Sequence, residues 1–422
     1  MTARALVPTT LLLASLAALS ACSTSDMPIA PDADQERLTV SNDAPEFADR
    51  VQYTTGDTVQ LTADTSASGA SARVRASLNA SVGRPPSATT FLRSAVVSAP
   101  RVNGSALLAS HVVVRGSFAY VSYMTLGEVA RGAVEVFDIS TPDRPRLVSQ
   151  AILSTSDVLA LAVSDSHIYL ATSSEDPTYK ERAVLERIAL QGGRLSTTTT
   201  RVQLPSYVAT GVDVSSKWVY VTSGNGGPGV GGLTILDRNT LARVSGDVFA
   251  DARAVTGASG KYVAVSQGGP ARLRLYNAAT GALTSTVSLQ GGTIPDSKSS
   301  VALTDTWGFV ATGDGGVQVV DLSGGIVRGI VPRPNVPGVS SADAVTNAVS
   351  LSGDFILAAD GGAGVAVTWS DHRGVGSGQR PTLVPLGRLL LPGSANYIAS
   401  DNNAMFVAQG SAGLQVLSVK TP

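Results

Sequence analysis

The chain has 422 residues, with 31 basic against 32 acidic side chains and a formal net charge of −1. That balance disfavours nucleic acid as a partner, because phosphate binding needs clustered positive charge. Hydrophobic residues at 43% and charged residues at 15% argue against wholesale disorder. A single cysteine and three histidines exclude an intrachain disulfide framework and leave little material for a zinc site, so no metal or cofactor is expected.

At the amino terminus, Arg4 opens a short basic region, and Leu11 to Leu19 (LLLASLAAL) forms an apolar stretch too brief to cross a bilayer. It ends in Leu19-Ser20-Ala21-Cys22, which carries the only thiol. This resembles the lipobox of bacterial lipoproteins, whose cysteine receives a diacylglycerol and becomes the first residue of the mature chain. The resemblance implies a signal peptide over residues 1–21, lipidation at Cys22 and a membrane as partner through the attached lipid, each buried CH₂ contributing about 0.8 kcal/mol. Ser23 stands where an Asp would resemble an inner-membrane retention signal. The expected location is therefore the cell envelope after export, at the outer membrane in a host with two.

Residues 22–88 read as a flexible tether. From Ser23 to Asp64 nine acids (Asp26, Asp32, Asp34, Glu36, Asp43, Glu46, Asp49, Asp57, Asp64) face only Arg37 and Arg50, so the segment should be repelled by an anionic surface. TADTSASGASARVRASLNASVGRPPS follows, poor in aromatics and rich in small residues, as a spacer is. Within the tether, Val51 to Leu61 (VQYTTGDTVQL) has the pattern of a small hairpin around Gly56-Asp57.

A repeat fills the rest. FAYVS (Phe118–Ser122), IYLAT (Ile168–Thr172), VYVTS (Val219–Ser223), YVAVS (Tyr262–Ser266), GFVAT (Gly308–Thr312), FILAA (Phe355–Ala359) and MFVAQ (Met405–Gln409) are copies of one strand. Aligning Val121, Leu170, Val221, Val265, Val310, Leu357 and Val407 gives spacings of 49, 51, 44, 45, 47 and 50 residues, hence seven copies. After most of them comes a glycine and then alternating aliphatics, as in GAVEVFDIS, GGLTILDRN and GGVQVVDLS, with the period of two that strands show. A four-stranded sheet of this length has two faces to bury, and radial packing of seven buries both. The predicted fold is all-β, a seven-bladed β-propeller over residues 89–422. The last copy carries three strands, and Thr90 to Ser98 (TFLRSAVVS) is expected to supply its outermost strand beside Leu414–Val419, closing the ring.

GAVEVFDISTPDRPRLVSQ, GGVQVVDLSG and AGLQVLSV resemble the LVIVD-repeat family of bacterial propeller proteins, most closely at Gly132–Gln150 and Gly315–Gly324. The likeness spans roughly residues 106 to 422 and loosens at AVLERIALQGG and ARLRLYNAATG, where the family's Asp is missing. It implies secreted or surface-attached domains and transfers no catalytic motif. In it the aliphatics pack between blades and the Asp ties the following turn.

Motifs for chemistry are sparse: there is no HExxH, GxSxG, Walker-type glycine loop or DxDxDG loop. His111, His167 and His372 read as structural residues, Gly224–Gly232 as an inter-strand loop, and Trp218, Trp307 and Trp369 as wedges between sheets. The repeat register singles out Asp157, Asp251, Asp296 and Asp343, which precede the aligned aliphatic by 13, 14, 14 and 14 residues, at the mouth of an axial channel. Arg253 and Lys298 follow two residues on, and Asn347 and Asn396 lie near the same rim. Such a rim can bind a small polar ligand, the interleaved basic residues speaking against a metal. The plainer account has each Asp accept amides of its own turn or pair with a neighbouring base, and it is preferred. Insertions at Ser173–Arg182 and Ser370–Pro381 are a second place for a partner such as an envelope protein. The expected function is a non-catalytic binding scaffold; the alternative is a hydrolase or lyase acting at the channel mouth.

Overall fold

The computed structural model describes residues 37–62, 89–224, 231–257, 260–295, 297–401 and 404–420. Seven antiparallel sheets form the body, each beginning at an inner strand and continuing outward in chain order, with strands from the amino-terminal segment added at the outer edge of three. The inner strands are Leu108–Arg115, Ser156–Val163, Ala209–Val214, Ala252–Thr256, Val301–Leu303, Ala348–Ser352 and Tyr397–Asp401. Each packs against the next and the seventh packs against the first, so the sheets are the seven blades of a closed β-propeller.

Packing explains why the pattern takes this form. Seven hydrophobic clusters occupy the seven seams between blades, one per seam. A middle strand such as Phe355–Ala359 or Val317–Asp321 is buried on both faces, whereas the outer strand Arg243–Val248 is almost wholly exposed. Both tryptophans at Trp307 and Trp369 are buried in such seams; Trp218 is half-buried under the Lys217 ammonium.

The repeat glycine has a steric cause. Gly316 and Gly413 open their strands at φ +73° and +77°, and a Cβ there would lie 2.2 Å from the Val331 carbonyl oxygen and 2.0 Å from that of Val97. Gly316→Ala is therefore expected to cost about 3 kcal/mol or more, combining a left-handed backbone with a backbone clash. Gly116 is the control: its φ is +57° but nothing lies within 4 Å of its Cβ position. Gly116→Ala should cost only about 1 kcal/mol. Equal losses for the two variants in urea titrations would contradict the clash.

The motif Asp ties the next turn. Asp138 accepts the Ser140 amide, Asp237 the Asn239 and Thr240 amides, and Asp321 the Ser323 and Gly324 amides. In the fourth blade Asn277 does the same for Ala279 and Thr280, since an amide oxygen accepts as a carboxylate does. The second blade turns instead through Gly192 and Gly193, both at positive φ.

Thr90–Val97 pairs antiparallel with Leu414–Lys420, Val97 opposite Leu414 and Phe91 opposite Val419. It is not the outermost strand of the seventh blade, because Val51–Val59 pairs along its other edge. The expectation of a tether from 22 to 88 therefore needs correction over residues 37–62. Leu38–Ser41 adds a fifth strand to the first blade, Val51–Val59 one to the seventh, and Leu61–Thr62 one to the sixth. The expected hairpin at Gly56-Asp57 is absent: this is one strand whose register shifts between Tyr53 and Asp57, with Gly56 at φ +85°. Charge explains the adhesion, since the only two bases of the segment each find a buried carboxylate, Arg37 with Glu186 and Arg50 with Glu135. Cys22, with the leader and the spacer at 63–88, lies outside the described residues.

Candidate axial site

The inner strands enclose a chamber of about 1030 Å³ along the axis. Its wall is formed by the inner strands of the first four blades, by residues 297–301 of the fifth and by Tyr397 of the seventh.

The predicted rim residues mostly face the seams. Asp157 of the second blade accepts the amide and hydroxyl of Thr125 at 2.8 Å and the Arg131 amide at 3.2 Å, all on the first blade. Burial nonetheless pushes its carboxyl upward. Asp251, at φ +55°, forms a two-pronged pair with Arg253 at 2.8 and 2.9 Å. Arg253 continues to the carbonyls of Gly292 and Ile294 and to the Ser297 hydroxyl, fastening the fourth blade to the fifth. Asn347 donates to Ala395 at 3.4 Å and Asn396 to Ala109 at 3.0 Å, spanning the sixth–seventh and seventh–first seams. Asp343 accepts the Ser340 hydroxyl within its own turn at 2.7 Å. Asp296 lies outside the described residues. Among the described residues of the rim set only Asp251 and Arg253 come together.

Lys298 behaves differently. It enters the lumen from the fifth blade and donates from Nζ to the Ser110 carbonyl of the first, 2.8 Å away on the opposite side of the ring. No carboxylate pairs with it among the described residues, and burial pushes its pKa down to about 8. Beside it stands His111, 9% exposed, whose ring lies 3.7 Å from that of Tyr397 at a tilt of 37°. His111 Nδ1 finds no hydrogen-bond partner. Burial, and then the Lys298 charge, lower its pKa to about 3, so it is neutral at physiological pH. Burial, and then the Asp213 carboxylate, push the Tyr397 phenol upward. Across the lumen Asp213 accepts the amides of Val214 and Gly257 at 2.8 and 2.6 Å, and burial raises its carboxyl despite them.

Reading the sequence by residue type passed over Asp213 and Tyr397 and set His111 aside as structural. The aligned register contains their signal. Ten residues before the aligned aliphatic stand His111, Ala160, Gly211, Val255, Ser300, Asn347 and Tyr397, and eight before it Val113, Ala162, Asp213, Gly257, Ala302, Val349 and Ala399. His111, Tyr397 and Asp213 break columns that are largely small or apolar.

The two insertions fold onto the ring. In the sixth copy, the carbonyls of His372 and Val375 accept from the Trp307 indole, while Ser377 and Gly378 donate to buried Asp321. Burial raises the Asp321 carboxyl, but the amides of Gly378 and Gly324 outweigh that and hold it at about 2. His372 is buried edge-on to Phe309, and His167 bonds the adjacent Ser166 hydroxyl on the surface. In the second copy, Asp176 pairs with Arg201 and Arg182 lies over Tyr207. Most of the glycine-rich loop Gly224–Gly232, residues 225–230, lies outside the described residues.

No family model matches the chain, and no curated protein matches its sequence. Among solved structures it is similar to U3-55K, with a TM-score of 0.56 and 12% identity over 75% of this chain and 97% of that one. It is similar also to the WD40 repeats of RRP9, with a TM-score of 0.55 and 12% identity over 75% and 96%. Kuenenia stuttgartiensis hydrazine synthase follows with a TM-score of 0.53 and 14% identity over 76% and 100%. Likeness at this level of identity concerns the fold alone, and on it the chain is a β-propeller.

Proposed function

We propose that this protein is a lipid-anchored cell-envelope β-propeller that acts as a non-catalytic binding scaffold, with the axial chamber as its ligand site. The observation that carries the reading is the state of Lys298: a charged group held inside the ring by one carbonyl, beside a histidine nitrogen without a partner. Keeping a cation out of water without a counter-ion is costly, and perturbed groups of this kind gather where ligands bind. The LVIVD likeness at Gly132–Gln150 and Gly315–Gly324 supports a secreted or surface-attached domain, and Leu19-Ser20-Ala21-Cys22 supports the lipid anchor.

Full-length protein expressed with its own leader in a bacterial host should fractionate with membranes and yield an amino-terminal peptide with diacylglycerol on Cys22. Cys22→Ser should move it to the soluble fraction. An unmodified thiol at Cys22 would defeat the anchor.

A further inference from the structure

We infer that the axial chamber binds a small organic monoanion, a carboxylate carried on an apolar body, with Lys298 meeting the charge and His111 Nδ1 a second polar contact. The inference rests on the chamber being the ligand site.

Three observations converge on this class. First, the site offers one compact ammonium instead of an arginine fork, because the Arg253 guanidinium is used up by Asp251 and the carbonyls of Gly292 and Ile294, and that of Arg115 pairs with Asp165. A single point charge suits one carboxylate better than a phosphate or a dianion. Second, His111 lines the chamber, buried, neutral and stacked on Tyr397, and its unpartnered Nδ1 is covered, so that a ligand meets it by a shift of the ring. In one tautomer that nitrogen donates to a carboxylate oxygen; a protonated ring is not needed. Third, the wall is mixed, with apolar surface in excess of polar and the half-buried Val113, Leu159, Val214 and Val301 among its lining beside hydroxyls such as Thr210 and Ser299. A chamber of about 1030 Å³ is at the upper end of the range for small-molecule sites, large enough for an aromatic or branched acid.

The carboxylates among the described lining residues do not occupy the place of the ligand. Asp157 is bound by Thr125 and Arg131, and Asp213 by backbone amides on the third and fourth blades. Neither is paired with Lys298. An entering carboxylate would displace the Ser110 carbonyl as the principal partner of Nζ, exchanging a neutral acceptor for a charged one.

The test uses the full-length protein in detergent and benzoate as probe, with benzamide as its neutral isostere. Benzoate should bind, seen by calorimetry, and benzamide should bind at least roughly tenfold more weakly. Lys298→Met should weaken benzoate by roughly tenfold or more, while Lys298→Arg keeps the charge and most of the affinity. His111→Gln, which retains hydrogen-bonding capacity, should cost no more than about threefold. Affinity should be flat below pH 8 and fall roughly tenfold per unit above it, as Lys298 gives up its proton. Among the described residues the other ionisable groups around the chamber are His111, Arg115, Asp157, Tyr207, Asp213, Arg253 and Tyr397. Among them His111 is already neutral in this range, and the Tyr397 phenol is raised away from it. Equal binding of benzamide and benzoate, or benzoate binding unchanged in Lys298→Met, overturns the anion while leaving a chamber that binds. No binding of benzoate, phenylacetate or hexanoate at millimolar concentration overturns the class altogether. Neither result depends on Cys22, so the anchor stands or falls separately.

Discussion

Arg37→Ala is expected to destabilise the folded chain by about 3–5 kcal/mol. The guanidinium grips Glu186 of the second blade with both Nη atoms, at 2.9 and 2.8 Å, and the two side chains are 4% and 1% exposed. Removing the arginine takes both Nη donors from a buried carboxylate, which keeps the Thr199 hydroxyl and the charge of Arg201 opposite it on the next strand. The loss is the cost of leaving that buried charge with weaker compensation more than of the contact itself, since taking an ion out of water costs several kcal/mol. The double variant Arg37→Met with Glu186→Met removes both charges at similar volume and should recover most of the stability. Leu38, buried in the first–second seam, holds the same strand by apolar contact in both variants, so the difference between them reads the charge. Urea titrations read the stabilities, and trypsin cleavage within residues 37–62 reads whether the segment has lifted. A loss below about 1 kcal/mol for Arg37→Ala, or no recovery in the double variant, would mean that the pair does not clasp the segment.

How much of this could be read from the chain follows from where the physical constraint repeats. The wheel of seven sheets was legible because burial on both faces imposes alternation in every copy, and a close approach like that at Gly316 and Gly413 imposes a glycine in most of them. Residues 37–62 were misjudged because their acids dominate any composition count. Two arginines with buried partners far along the chain, at Glu135 and Glu186, outweigh that excess, and no local pattern announces such a pair. At the axis the difficulty was different. Asp157 and Arg253 stand in the expected places yet serve the seams. Lys298, from the same register, projects into the lumen because the Ser110 carbonyl across the ring receives it. Side-chain direction at the start of an inner strand depends on the facing blade, which a single repeat does not contain. Comparing columns across the seven copies is what isolates Asp213, His111 and Tyr397.

Val97→Asp is the sharpest test of how the ring is held shut, with an expected loss of more than about 4 kcal/mol against about 1 kcal/mol or less for Val96→Asp. Val97 is fully buried among Leu107, Phe406, Leu414 and Val416, the cluster that fills the seam between the last blade and the first. Val96, its neighbour, is half-buried and stands between Gln415 and Gln52 on the flanking strands. Propensity and charge change identically in the two variants, so their difference isolates the buried face of one strand. That strand matters beyond its own contacts because Thr90–Val97 sits between Leu414–Lys420 and Val51–Val59. Losing it uncovers the edge of the seventh blade and detaches the outer strand that lies on it. A wheel opened at one seam also frees the first and seventh blades to separate, so the penalty spreads over the chain instead of staying local. Val97→Asp should therefore lower the midpoint of unfolding for the whole protein in one transition, with a far-UV signal and a tryptophan signal moving together. Equal stabilities for the two variants, or a Val97→Asp protein in which Trp307 and Trp369 unfold separately from the rest, would show that the blades hold together without the amino-terminal strand.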